Sequence, residues 1–230
     1  MLAVRAADAA GVTGPDVDRA ASTQLDGSLV PIPRSAVIWS GRRNILGPMV
    51  ESMENLTAVL ALIAGVGAAL ILVARLLAPA VPAAAAAGRA VVARRAELTL
   101  AVAAIATAGS LYFSESAGYV PCRLCWFQRV AMYPIAVIAL VALIRRDRNA
   151  RWYIVPLAAI GAAISTYHVL IEWGWVNDSE SCLLFGPSCA DVWFESFGFV
   201  TLALMAWAGF VSIIVLNTVS FDSVDSEENS

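Results

Sequence analysis

The sequence predicts an all-α integral membrane protein: a four-helix bundle with one extra N-terminal transmembrane helix. Three observations carry this. The chain is 60% apolar and only 14% charged, against about 45–50% and about 25% in soluble domains. Five long apolar runs lie along it, and arginines mark alternate loops between those runs. The mean hydropathy of +0.74 agrees. So few charges cannot cover so much apolar surface in water, so the lipid bilayer is the solvent.

A span needs roughly 20 mostly apolar residues. It must be helical, because lipid cannot satisfy an unbonded backbone amide. The extra span covers residues 57–78, with Arg75 near enough to its end to snorkel. The other four cover 98–114, 124–144, 152–171 and 197–216. Arg89, Arg94 and Arg95 precede the first of these four, and Arg145, Arg146, Arg148 and Arg151 separate the second from the third. Both clusters read as cytoplasmic, since cytoplasmic loops are enriched in basic residues. The loops at 114–121 and 172–192 contain no arginine and read as extracytoplasmic. Counting crossings puts the acidic tail, with Asp222, Asp225, Glu227 and Glu228, inside. The same count puts the start of the extra span outside, against which Arg42 and Arg43 weigh. Trp126, Trp152, Trp173, Trp175 and Trp193 lie near the predicted span ends, where amphipathic rings favour the membrane interface.

Residues 1–52 mix Gly, Pro, Ser, Asp and Arg without a sustained period, which predicts disorder. No apolar core follows the first arginine, so they lack a signal-peptide layout. Met53 is a candidate translation start. The chain therefore divides into an extension (1–52), an extra helix with an Ala/Pro-rich linker (53–96), a four-helix domain (97–216) and an acidic tail (217–230). No basic run points to nucleic acid.

Four cysteines form two pairs. Cys122 and Cys125 lie where a loop enters an apolar helix after Pro121, and Cys182 and Cys189 lie in the second arginine-poor loop. Two crossings separate the pairs, so both face one side. A CxxC pair closes a very small ring on oxidation and is usually redox-active or metal-binding. Cys125 falls in the first helical turn, where the helix dipole favours a thiolate. Arg129, four residues on, shares its face. A fixed cation beside hydrocarbon either snorkels or has a partner, such as a thiolate or a reduced, anionic ligand. Arg123 adds positive potential. A four-thiolate zinc site would need both pairs to converge, and an oxidising location opposes it, so no metal is assigned. Gly186 and Pro187 let Cys182 and Cys189 approach, either as a loop staple or as an exchange pair. Their polar flank, Asn177 to Glu180, suits a segment that meets a soluble partner.

The run Leu111-Tyr112-Phe113-Ser114-Glu115, followed by Val120-Pro121-Cys122-Arg123-Leu124-Cys125-Trp126-Phe127-Gln128-Arg129-Val130-Ala131-Met132-Tyr133-Pro134, closely resembles the disulfide bond formation protein B (DsbB) family, including its shorter members. The resemblance covers about residues 97–216. It implies a quinone-linked thiol oxidase of the cell membrane, using ubiquinone or menaquinone, that reoxidises an extracytoplasmic thioredoxin-like (DsbA-like) protein. By the same resemblance Cys122 and Cys125 are the quinone-coupled pair, with Cys125 facing the quinone and Arg129 beside it. Cys182 is the sulfur that the partner attacks, and Cys189 exchanges with Cys122. His168, late in the third span, either borders the quinone or relays protons; the alternative is an interfacial histidine bonded to a backbone carbonyl. The extension, the extra span, the six-residue separation of the loop pair and the lack of a proline in 198–203 depart from many members. Two other readings are a vitamin K epoxide reductase-like enzyme, in which the CxxC follows the loop pair, and a non-catalytic scaffold with a disulfide or zinc staple.

Overall fold

The computed structural model describes residues 22–25, 28–31, 34–147, 149–177 and 187–221. The chain divides into two compact units, Met1–Ser52 and Met53–Ser230. The first contains an antiparallel pair, β1 (Ser22–Leu25) and β2 (Ser28–Pro31), with Leu25 opposite Ser28. Strand formers flank Asp26-Gly27 in the sequence, a dipeptide favoured in two-residue hairpins. Residues 1–21 and the acidic tail from Asp222 lie outside the described residues.

The described helices are α1 (Arg34–Leu77), α2 (Pro82–Ala93), α3 (Arg95–Leu111), α4 (Arg123–Arg145), α5 (Arg151–Glu172) and α6 (Leu202–Thr218). A π-helical turn, Tyr112–Ser116, extends α3. Four segments are long and apolar enough to cross a membrane: Gly47–Leu77, Arg95–Ser116, Arg123–Arg145 and Arg151–Glu172. The apolar α6 has 17 residues, the lower end of the spanning range of roughly 17–25. A helix therefore stands at every predicted span. The last begins at Leu202 rather than 197. Ser196 pairs with Val200 around a tight turn in which Phe197 and Gly198 take φ of 56° and 77°. Thr201 then caps α6, its hydroxyl accepting from the Leu204 N–H at 3.3 Å. The Ala/Pro-rich stretch 79–88 is helical from Pro82. Alanine is the strongest helix former, and proline is tolerated in the first turn.

Helices α3 to α6 enclose the main core, built from Ala103, Ala131, Ile135, Ile154, Ala158, Phe210 and Ile213. Lipid supplies no hydrophobic drive between helices, so close packing of small residues holds them. Gly161 of α5 is one such case, because a Cβ there would lie 2.3 Å from the Phe210 ring of α6. Val130, Val137, Ile144 and Ile160 remain exposed on the outside, as a lipid-facing surface requires. At the arginine-rich end, Asn217 donates to the Thr99 hydroxyl at 2.9 Å and ties α6 to α3. A second cluster there packs Ala68 and Ile71 of α1 and Ala85 of α2 against Leu216 and Phe221. Cys122, Cys125 and Cys189 lie at the other end, where α4 and α6 begin and α5 finishes. Trp126, Trp152, Trp173 and Trp175 are exposed. Trp193 instead stacks on Tyr119 at 5.0 Å, so it serves loop packing.

Candidate redox site

Pro121 delivers an extended residue, Cys122 (φ −70°, ψ 172°), which acts as N-cap of α4. Its Sγ accepts from the Cys125 N–H at 3.3 Å, satisfying one of the orphan donors of a helix start. This cap turns the two sulfurs toward each other, 2.9 Å apart. Cys122 is buried and Cys125 half-buried. The Cys122 thiol is pushed up to about 12, first by sharing its hydrogen with Cys125, then by burial, while His168 pulls the other way. These raising effects outweigh the pull of the cap position toward a thiolate at Cys122.

The fully buried Cys189 packs with Cys122, Leu124 and Ile171. The convergence of the CxxC with the second loop is therefore present at this cysteine. Cys182 lies outside the described residues, as does Gly186. His168 of α5 joins the two segments. Its Nε2 lies 3.1 Å from the Cys189 carbonyl oxygen and 3.7 Å from Cys122 Sγ. Its Nδ1 lies 3.3 Å from the Gln128 amide nitrogen. An amide nitrogen only donates, so Nδ1 accepts, and the neutral ring carries its hydrogen on Nε2, aimed at a carbonyl that only accepts. His168 is thus bonded to a backbone carbonyl, and it is absent from the walls of the groove described below. Glu172, one turn along α5, lies 3.9 Å from His168 Nε2 and accepts from the Thr201 hydroxyl at 2.6 Å. That bond links the end of α5 to the cap of α6.

On its other side Cys125 forms part of the wall of an apolar groove of about 680 Å³, with Gln128, Arg129 and Tyr133. Arg129 lies with its guanidinium 5.3 Å from the Trp126 ring centre and donates to the Ser110 carbonyl at 3.1 Å. The expected shared face of Cys125 and Arg129 is present, and Arg129 is partnered rather than snorkelling. Arg123 instead lies over Phe127 at 5.7 Å. The loop before the CxxC is held by a stack in which Tyr119 lies between Phe113 and Trp193. The Tyr119 hydroxyl also bonds Glu54 of α1. The groove is mostly apolar, with a cation and an amide beside the thiol at one end, which suits an apolar ligand with a polar edge.

The Cys122 and Cys125 sulfurs and His168 Nε2 lie within 4.8 Å of one another. These three donors are of types that bind zinc. Gln128, Glu172, Thr201 and Ser110 are parts of the site that the motif reading missed. Two left a trace in the sequence: Gln128 is a polar residue inside a span, three after Cys125, and Glu172 stands four after His168.

Residues 93–220 match the family model "Disulfide bond formation protein DsbB". Curated relatives include a probable disulfide formation protein C 1 of Bacillus anthracis, 38% identical over 115 residues, half of this chain and 83% of that one. The disulfide bond formation protein C of Bacillus subtilis is 39% identical over 114 residues, 50% of this chain and 83% of its own. An SPbeta prophage-derived disulfide bond formation protein B of the same species is 40% identical over 109 residues, 46% of this chain and 72% of its own. No solved structure matches.

Proposed function

The chain belongs to the DsbB family of disulfide bond formation proteins, and on that premise we propose that this multi-pass membrane protein is a thiol:quinone oxidoreductase. It reoxidises an extracytoplasmic, DsbA-like thioredoxin-fold protein and so sustains disulfide formation in secreted chains. The carrying observation is the double position of Cys125, bonded to Cys122 and forming a wall of the apolar groove beside Arg129.

The partner's thiolate attacks Cys182 of an oxidised Cys182–Cys189 pair, and Cys189 leaves as a thiolate. The partner's second thiol then releases the oxidised partner. Cys189 thiolate next attacks Cys122 of the oxidised CxxC, and Cys125 leaves. Cys182 closes the loop disulfide again, and the CxxC is left as a dithiol. A quinone bound in the groove would supply the acceptor for the two electrons and two protons released as the Cys122–Cys125 disulfide is restored. Arg129 and Gln128 would hold it there. His168 holds the Cys189 backbone within reach of Cys122.

The three-donor cluster favours one second reading, a metal-stapled scaffold built on Cys122, Cys125 and His168. One experiment separates the two: reduction of quinone by the purified protein, fed with a reduced DsbA-like protein, with metal content measured on the same sample. Turnover that disappears in Cys125→Ser supports the oxidase. A stoichiometric metal, with no turnover in folded protein, supports the staple.

A further inference from the structure

Helix α1, and helix α2 up to its last residue, lie outside the part of the chain that matches the family, yet both border the groove that starts at Cys125. Resting on the quinone reading above, we propose that the extra helix α1 forms the far wall of a channel for the quinone's prenyl tail, a subsite supplied by this appended segment.

The groove is built like a head-and-tail ligand. Its polar atoms gather at the cysteine end, with Ser110, Gln128, Arg129 and Tyr133. Away from that end the walls are apolar or glycine, apart from Ser212, whose hydroxyl is turned back to Ala208 O at 2.5 Å. The channel continues to Ile71 of α1, Gly88 of α2 and Leu216 of α6, at the opposite end of the helices. About 680 Å³ lies within the range of sites for drug-sized ligands and is well beyond one aromatic ring. Charge complementarity fixes which end takes the head. Among the described residues the one cation on the walls is Arg129, beside the thiol, where a reduced quinone ring is most anionic.

Helix α1 is held as a wall at separate points. Glu54 bonds Tyr119 in the loop before the CxxC. Thr57 lies against Gly109 and Gly65 against Ala208, with Cβ distances of 3.5 and 3.6 Å if those glycines bore one. Between these supports and the far cluster, Gly67 faces open space: a Cβ there would meet nothing within 4 Å. Gly67 is itself a groove residue. A prenyl chain is an apolar strand of the right chemistry for such a slot, and each buried methylene contributes about 0.8 kcal/mol.

The test uses the full chain in lipid nanodiscs and measures binding, not turnover. Two quinones with the same ring, one carrying a multi-isoprene tail and one none, are titrated by quenching of tryptophan fluorescence against the unaltered chain and Gly67→Phe. Gly67→Phe is expected to raise the Kd of the tailed quinone about tenfold, the scale of two lost methylene contacts, and to leave the tailless one within about twofold. A diazirine at the tail end, photolysed in the unaltered chain, should label the segment 60–71, which keeps the test independent of how the variant folds. Equal affinity of the unaltered chain for both quinones would mean that bilayer acyl chains fill the groove, and would overturn the channel. Labelling confined to α3–α6 would overturn it too, with the quinone reading intact. Failure of both quinones to bind would overturn the channel and the quinone reading together.

Discussion

His168 and Cys189 are 21 residues apart in sequence, yet the histidine Nε2 lies 3.1 Å from the cysteine's carbonyl oxygen. The bond grips the loop by its backbone carbonyl. Gln128, from the helix that carries the CxxC, fixes which ring nitrogen bears the hydrogen. One imidazole therefore couples three segments: the CxxC helix, α5 and the second cysteine loop. Thiol–disulfide exchange needs the attacking sulfur near its target, and this bond sets that proximity.

Removing the ring should slow exchange between the loop and the CxxC. In a Cys125→Ser, Cys182→Ser background only Cys122 and Cys189 remain to join, and their disulfide can be trapped with acid after mild oxidation. A hydrogen bond of about 1 kcal/mol predicts roughly fivefold slower closure in His168→Ala. Quinone affinity should stay unchanged, because the ring lies outside the groove walls. If closure is unchanged and quinone binding falls instead, His168 belongs to the quinone subsite.

Cys122 carries a pH prediction. Its thiol is pushed up to about 12 by the hydrogen shared with Cys125 and by burial. A raised value keeps the proton on in the folded state, so the thiolate fraction climbs tenfold per pH unit without levelling below about 12. Alkylation of reduced protein, read by mass spectrometry of the Cys122 peptide, should rise from pH 7 to 10 without a plateau. Cys125→Ala removes the largest cause and should bring a plateau into that range. The linkage sign follows. Above about 9, where the unfolded thiol ionises, the folded state binds the extra proton, so the reduced protein loses stability as pH rises from there toward about 12.

Much of this arrangement was legible in the sequence, for reasons of physics. Lipid forces each long apolar run into a helix, so the runs located α1 and α3 to α6. Pro121 before an apolar run fixed where α4 begins and so placed Cys125 in its first turn. What escaped depends on tertiary contact. Gln128 meets His168 across 40 residues, and no local pattern encodes that pairing. The start of α6 moved because a left-handed Phe197–Gly198 turn interrupts an otherwise apolar stretch. The helix from Pro82 in the Ala/Pro-rich linker follows from its alanines, which favour helix, with Pro82 tolerated in the first turn. The role of α1 as a groove wall was invisible, because nothing in an apolar run says which neighbour it faces.

Gly161 predicts a packing effect. A Cβ there would sit 2.3 Å from Phe210, inside the main core where α5 meets α6. Overpacking costs roughly 1–3 kcal/mol. Gly161→Ala should lower the thermal midpoint of the detergent-solubilised protein, and Gly161→Leu should lower it further or prevent folding. Because α5 ends at Glu172 and Thr201 caps α6, the bond that the Thr201 hydroxyl donates to Glu172 should loosen as well. Combining Gly161→Ala with Phe210→Leu should recover part of the loss. Unchanged stability in Gly161→Ala would mean that the helices separate at negligible cost and that this contact does not set their distance.

Arg129 is held rigidly for a residue facing hydrocarbon. Its guanidinium lies over Trp126 and donates to Ser110 O, which leaves its remaining donors available toward the groove. Arginine presents a planar fork of donors, whereas lysine presents a point charge on a flexible stem. Arg129→Met should therefore raise the quinone KM by about tenfold or more, the scale of losing one charge-assisted hydrogen bond, and Arg129→Lys should recover only part of it. Closure between Cys122 and Cys189 depends on His168 and should stay within about twofold in both variants. Measuring the two rates side by side separates the possibilities. A drop in quinone affinity alone places Arg129 at the ring. A parallel drop in both rates means that the Ser110 bond chiefly holds α3 against α4, and that the cation acts through the fold.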